Sequence, residues 1–524
     1  MNLRVRLLLG PVFVTLLWVA IRCPTPGVLA QAHEPPQYDL LIVNAHIFDG
    51  SGSPWYQGSV AIKDGKIADI GRIGSVSVKR TIDANGLVVA PGFIDLHSHS
   101  DFALLVDGKA ESKISQGVTT EIIGEHWSAG PVVGTAIPDV DKDLASLGVH
   151  RNWSTLGEYF ATLQKHGMAL NIASYVGAGQ VRLDVMGNVN RSPTEAELEQ
   201  MKSLVDQAMR EGAIGLSAGL IYPPNSFAKT EELIELAKVA AKYGGIYTSH
   251  IRDEGDHEAE ALREAIEIGQ KAGLPVHILH LKVAGQQNWG KMADVVAQIQ
   301  AARDHGLDIT ADQYPYIAGM TGLQMTLPPK YLEGTHQQVV DRLRNPKARE
   351  EIRTLIETGV PGWENHVQGA GGWHGVMVAA VQKAENKTHE GQRMDEVAKH
   401  MGKEPVDALC DLLASEETFP YAIYFAMSEA DVRTAMQQPW VGVGSDGIAV
   451  NPEMKFMGRP HPRFYGTFPR VLGVYVREQK VLSLPDAIRK MTSLPVQIIG
   501  LTDRGWLRPG MAADIYHLRS GKGK

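Results

Sequence analysis

Cysteine is nearly absent from this chain, which holds only Cys23 and Cys410 in 524 residues. That scarcity excludes a disulfide scaffold, so stability has to come from a buried core, which a chain of this length readily supplies. Clustered positive charge is missing too. The formal net charge is −8 and no run of Lys or Arg occurs, which argues against nucleic acid as a partner. The apolar run at residues 7–21 contains Gly10 and Pro11 and is too short to span a bilayer. With Arg4 and Arg6 before it and Val28-Leu29-Ala30 after it, this run reads as the centre of a signal peptide over residues 1–30. The expectation is a secreted, periplasmic protein with no stable membrane insertion after cleavage, whose remaining Cys410 has no partner.

Past the signal, residues 31–87 carry short alternating apolar and polar segments such as Asp39-Leu-Leu-Ile-Val and Gly58-Ser-Val-Ala-Ile. Turns are marked at Asp64-Gly65 and Asn85-Gly86. This pattern predicts a small β-sandwich. From residue 88 the pattern changes to buried-type strands followed by amphipathic helices. Strands are expected at 88–96, 119–124, 168–176, 213–219, 245–250, 275–281, 308–314 and 440–445. The clearest helix opens at Ser192-Pro193-Thr194-Glu195, where Ser192 is the expected cap, and Leu198, Met201, Leu204, Val205 and Ala208 keep a 3.6-residue period. Eight such units predict an α/β fold, a (β/α)8 TIM-like barrel over residues 88–499, with an insertion at about 325–430. A doubly wound open sheet is the alternative, without a glycine-rich phosphate turn between a strand and its helix to support it.

In a barrel the chemistry sits at the C-terminal strand ends. Strand one ends at His97-Ser98-His99, and alternation puts the two imidazoles on one face. Strand two ends at Gly124-Glu125-His126, strand five at His250, strand six at His280 and strand eight at Asp446. Each residue taken singly reads as a hydrogen-bonded core side chain. Five strand ends closing on ligand-type residues read as a site of nitrogen and oxygen donors for one or two divalent ions, Zn2+ above all. Such a centre serves hydrolysis, because the ion makes water acidic enough to attack near neutral pH. A carboxylate in reach takes the proton and returns it to the leaving nitrogen. Asp446, the lone acid at the last strand end, suits that base role. His277 stands at an odd spacing from His280 on the same strand and is expected to face outward as a structural residue.

Several longer motifs accompany these ends: Pro91-Gly-Phe-Ile-Asp-Leu-His-Ser-His, Gln116-Gly-Val-Thr-Thr, Gly215-Leu-Ser-Ala-Gly-Leu-Ile-Tyr-Pro-Pro and Ser249-His-Ile-Arg-Asp-Glu. They continue with His280-Leu-Lys-Val-Ala-Gly, Asp312-Gln-Tyr-Pro-Tyr, Gly444-Ser-Asp-Gly and Arg459-Pro-His-Pro-Arg. Together they resemble the amidohydrolase superfamily, and within it the N-acyl-D-amino-acid deacylases, from about residue 38 to about 518. The resemblance implies that His97 and His99 form one metal subsite, that His250 and His280 form a tighter one, and that Asp446 is the general base. It also implies that Lys282, Tyr314 and Arg463 grip the carboxylate of the amino-acid half, a chemically sensible receptor.

Three departures from the family stand out. Its second strand looks like Gly-Asn-Cys-Gly with the cysteine as ligand, whereas here it reads Gly124-Glu125-His126-Trp127. Adjacent strand residues do not both point inward. Glu125 is the expected ligand, since a carboxylate bridges two ions more readily than an imidazole, and His126 is the alternative. Losing the thiolate should weaken the preference for zinc. The family's serine near residue 320 is replaced by Met320, beside Thr321. Gly505-Trp-Leu-Arg-Pro-Gly-Met-Ala-Ala-Asp-Ile resembles the return into the sandwich, so residues 500–524 are expected to join it. The family adds further strands there, which leaves the expected sandwich short at this end.

The expected activity is metal-dependent hydrolysis of the linear amide of an N-acyl-D-amino acid, releasing a carboxylate and a D-amino acid. A dipeptidase acting on peptides with a C-terminal D-residue is a close alternative. A cyclic-amide hydrolase fits less well, because strand four offers Ser217 where many such enzymes place a carboxylated lysine. From another class, a non-catalytic binding paralogue of the same fold would keep the residues and lose turnover. The partner in each enzymatic reading is a small acylated amino acid or dipeptide.

Overall fold

The computed structural model describes residues 37–454 and 458–518. The expected signal peptide, Cys23 and residues 519–524 lie outside the described residues. The first five strands build one sheet around Tyr38–Ile47, which pairs antiparallel with Tyr56–Lys63 and parallel with both Val78–Asp83 and Val88–Pro91. Lys66–Gly71 adds to the far edge. The turn residues Asp64 and Gly65, like Asn85 and Gly86, all have positive φ, as tight turns of Asp-Gly and Asn-Gly require. The last described strand, Ile515–Leu518, returns antiparallel to Val88–Pro91. Leu507 packs with Ile42, Ile47, Val60, Ile67 and Val89, so the two ends of the described chain share one small core.

Eight parallel strands follow. They are Phe93–Asp95, Val118–Ile123, Asn171–Ser174 (resuming after Tyr175 as Val176–Gly177), Gly215–Gly219, Ile246–His250, Val276–Ile278, Ile309–Gln313 and Val441–Val443. The ring closes between the eighth strand and the first, where the Leu96 amide donates to Val443 O at 3.3 Å and Ser98 bridges Gly447. The fold is therefore a (β/α)8 barrel. Outward residues such as Leu216, Ala218, Tyr247, Val276, Ile278, Ile309 and Ala311 pack under the surrounding helices. Ser217, Thr248, His277 and Asp312 alternate with them and fill the interior, all of them fully buried.

His277 corrects one expectation. It points inward, donating or accepting at 2.9 Å to Asp312 Oδ2 and at 2.8 Å to Thr310 Oγ1. The strand ends at Ile278, and His280 turns at φ 38, so counting alternation back from His280 gives the wrong face. A second correction concerns the helix Glu195–Arg210, whose cap is Thr194 and not Ser192. Thr194 accepts from the Glu197 amide while the Glu197 side chain accepts from the Thr194 amide, a reciprocal box that Ser192 is too early to form.

Between strands seven and eight the chain leaves the barrel. Gly319–Gly322, Val376–Ala380 and Tyr421–Tyr424 make a three-stranded antiparallel sheet backed by the helices His336–Leu343, Pro346–Thr358, Met394–Met401 and Pro405–Ser415. This excursion has its own core, with Cys410 among Leu343, Ile352, Leu409 and Leu413. Burial pushes the Cys410 thiol up to about 12. At pH 8 the native protein should therefore leave Cys410 unmodified by iodoacetamide, with full alkylation only in denaturant, as peptide mass mapping would read. Rapid native labelling would show that the core around it opens.

Candidate metal centre

At the C-terminal rim of the barrel the backbone turns sharply off several strands. Gly124 follows strand two with φ 85, and a Cβ there would sit 2.4 Å from Ser174 Oγ and from Tyr175 O, so only glycine fits. His126, His280 and Asp446 all have left-handed φ, of 33°, 38° and 49°. Such conformations cost roughly 1–3 kcal/mol each, and strain of this kind gathers where side chains must be aimed.

Glu125 links two groups of donors. Its Oε2 lies 2.7 Å from His97 Nε2 and 2.9 Å from His99 Nε2, and its Oε1 faces His250 Nδ1 at 4.0 Å. Asp446 Oδ1 lies 3.0 Å from His99 Nε2 and 3.8 Å from His97 Nε2. Donor atoms of His97, His99, Glu125 and Asp446 fall within 4.8 Å of one another, and so do those of Glu125, His250 and His280. These are two overlapping donor sets sharing one carboxylate. His126 stands in neither; its ring stacks on Tyr222, with centroids 4.6 Å apart and planes 9° from parallel. The strand ends at Ile123, so this division is made by the Gly124 turn and not by strand alternation.

Burial opposes the charged forms here; it wins at His250, and the neighbours overrule it at His97, Glu125 and Asp446. The His97 imidazole is held well above its ordinary range because Glu125 and Asp446 outweigh its desolvation. Burial would likewise raise the two carboxyls, but His97 and His99 hold Glu125 well below the usual range, and Arg463 with His97 does so for Asp446. The charges do not exhaust the hydrogen-bonding capacity. His97 Nδ1, Glu125 Oε1 and both ring nitrogens of His250 are buried with no partner. Buried polar atoms are normally satisfied. The unpartnered His250 Nδ1 faces the unpartnered Glu125 Oε1, and Glu125 Oε2 lies against His97 Nε2 and His99 Nε2, a nitrogen and oxygen donor set that fits a divalent cation.

Two supporting acids escaped the sequence reading. Glu254 Oε1 accepts from Lys282 Nζ at 2.6 Å and lies 3.0 Å from His280 Nδ1. Asp312 binds His277 through Oδ2, while its Oδ1 accepts from the His280 amide at 3.0 Å and sits 3.8 Å from His97 Nδ1. Both stand within motifs quoted above, but neither closes a strand. Lys282, Tyr314 and Arg463 do come together beside His280. The Tyr314 ring has Lys282 Nζ at 5.6 Å and the Arg463 guanidinium at 4.9 Å. Arg463 Nη1 donates to Asp446 Oδ2 at 2.7 Å and Nη2 to Met320 O at 2.9 Å, which leaves its buried Nε unpartnered. A separate cavity of about 510 Å³, lined by Ile221, Phe227, Arg252, Met325 and Trp363, touches none of the clustered donors.

The profile of the amidohydrolase family matches residues 80–521 of this chain. The D-aminoacylase of Alcaligenes xylosoxydans xylosoxydans is 34% identical over 487 residues, covering 93% of this chain and 89% of the relative. Among solved structures, an N-acyl-D-glutamate deacylase from Bordetella bronchiseptica, complexed with zinc and a phosphonate mimic of the tetrahedral intermediate, superposes with a TM-score of 0.76. It is 32% identical and covers 91% of this chain and 89% of its own. A D-aminoacylase structure addressing the role of its binuclear metal centre gives a TM-score of 0.75, also at 32% identity, with coverage of 91% and 89%.

Proposed function

The chain belongs to the amidohydrolase family, and from that premise we propose that it hydrolyses the amide of N-acyl-D-amino acids to a carboxylate and a D-amino acid. The observation that carries the reading is the juxtaposition of two donor sets sharing Glu125 with the Lys282, Tyr314 and Arg463 cluster. His97, His99, Glu125, His250, His280 and Asp446 would hold one or two divalent ions, zinc being the ion bound by a relative. Such an ion polarises the amide carbonyl and lowers the pKa of water toward neutrality. The remaining work falls to this chain's own side chains. The substrate carboxylate meets the unpartnered Arg463 Nε, the Lys282 ammonium and the Tyr314 hydroxyl, which fixes the scissile amide over Glu125. Asp446 accepts the proton of the attacking water and delivers it to the leaving nitrogen. Glu254 orients the His280 ring from behind, and Asp312 holds the His280 backbone amide while facing His97 Nδ1.

Purified protein supplied with zinc should release amino acid from N-acyl-D-substrates and not from their L-enantiomers. Release from neither would sink the reading. Glu125 and His126 are separable by metal analysis. Glu125→Ala should lower bound metal to less than half the wild-type content, because both donor sets lose a member, while His126→Phe retains it. Equal loss in the two variants would reassign the second-strand ligand.

The location is proposed on sequence grounds alone, from Arg4, Arg6, the apolar residues 7–21 and Val28-Leu29-Ala30. Fractionation of a producing bacterium should find a shortened protein in the periplasm. Among the described residues no helix is long and apolar enough to cross a membrane.

A further inference from the structure

A continuous run of rings leads away from the carboxylate receptor. Tyr314 and His280 lie 6.4 Å apart by centroid, His280 and His250 4.4 Å, and His250 and Tyr222 5.2 Å. Tyr222 then stacks on His126 at 4.6 Å, and His126 meets Trp127 edge-on at 5.5 Å. The first ring belongs to the proposed receptor and the second and third to the donor set. A substrate with its carboxylate at Tyr314 and its amide at His280, His250 and Glu125 therefore has its acyl end directed toward Tyr222, His126 and Trp127.

That end of the run is built. Gly219 closes barrel strand four, and a Cβ on it would lie 2.7 Å from His126 Cγ and 2.9 Å from Tyr222 Cδ2. Only a residue without a side chain lets the two rings stack there. Tyr222 is fixed at its other end, where its hydroxyl meets Thr321 Oγ1 at 3.0 Å. Trp127 is 37% exposed, a large apolar ring kept at the rim. Its backbone amide donates to the carbonyl of Glu125, closing a tight turn next to the residue shared by both donor sets. Apolar rings in such a place offer area and π-faces to a partner, which is how an apolar group is recognised.

Resting on the deacylase reading, we infer that Tyr222, His126 and Trp127 form the acyl-binding wall, and that it selects aromatic or extended apolar acyl groups over acetyl. Trp127 is the specificity residue at its outer end. A small acyl group reaches Tyr222 and leaves Trp127 uncovered, whereas a phenylacetyl group covers it.

The test compares kcat/KM for N-phenylacetyl-D-leucine and N-acetyl-D-leucine in the zinc-loaded wild type, Trp127→Ala and Trp127→Phe. The wild type should prefer the phenylacetyl substrate. Trp127→Ala should lower that preference by about tenfold, mainly through KM, the scale expected when a pocket loses apolar contact. Trp127→Phe should restore most of it. A structural role for Trp127 would lower both substrates together and leave their ratio unmoved, and an unmoved ratio overturns the wall. Equal wild-type turnover of the two substrates overturns it as well while leaving the deacylase reading intact. Absence of turnover on every acyl-D-amino acid overturns both.

Discussion

Asp446→Asn is expected to keep its fold and its metal and to lose turnover by about 10²–10⁴-fold, the range for removal of a general acid–base group. In barrier terms that is about 2.7–5.4 kcal/mol. The fold should survive because Asp446 sits at φ 49, a conformation that Asn tolerates better than almost any other side chain. The hydrogen bond from Arg463 Nη1 to the 446 side chain, 2.7 Å in the native protein, can be kept by the Asn amide oxygen. Metal should stay because His97, His99, Glu125, His250 and His280 are untouched. What goes is the atom able to take a proton, since an amide oxygen is not a base near neutral pH. The informative measurement pairs kcat with metal content. A variant holding wild-type metal and more than a tenth of wild-type kcat would remove Asp446 from the base role. A variant that loses metal and activity together would make it chiefly a ligand.

The barrel was legible because its signals are local. Each strand is a short apolar run, each helix keeps its period, and the ligand-type residues stand where apolar runs stop. That is why His97, His99, His250, His280 and Asp446 were found from sequence and stand together in space. The residues behind them were not. Asp312 lies inside strand seven and Glu254 in the loop after strand five, and what defines them is contact across the barrel with His277, His97 and His280. No spacing along the chain encodes such contacts. The inward face of His277 failed for a related reason. Alternation holds only while the backbone stays extended, and a single left-handed residue at 280 resets it. The choice of Glu125 over His126 in the sequence rests on chemistry, a carboxylate bridging two ions more readily than an imidazole. The geometry that separates the two residues comes instead from Gly124 and from the Tyr222 ring, neither of which a strand pattern reveals.

Lys113→Met should cost about 3–5 kcal/mol, the penalty for removing one partner from a buried ion group. Lys113 Nζ lies 2.7 Å from Asp95 Oδ2 and 2.7 Å from Glu121 Oε1, and all three side chains are fully buried. It also donates to Ser445 Oγ at 2.9 Å, and Asp95 Oδ1 accepts from the Ser445 amide at 2.7 Å. The group thus ties strand one to strand eight beneath the metal centre, where the barrel closes. Burial lowers the lysine's pKa, but the two carboxylates outweigh it and hold the ammonium above its ordinary range. Without the lysine, Asp95 and Glu121 are left as buried carboxylates that have lost their shared cation. A melting midpoint lower by roughly 3–5 °C is expected, at about 1 °C per kcal/mol for a chain of this size. The triple variant Lys113→Met, Asp95→Asn, Glu121→Gln should melt above the single one, because it removes the unpaired charges and keeps side chains of similar volume. A single variant that melts like wild type would mean that the buried carboxylates are compensated by some other group. Barrel closure would then rest on backbone pairing between strands one and eight, and not on this ion group.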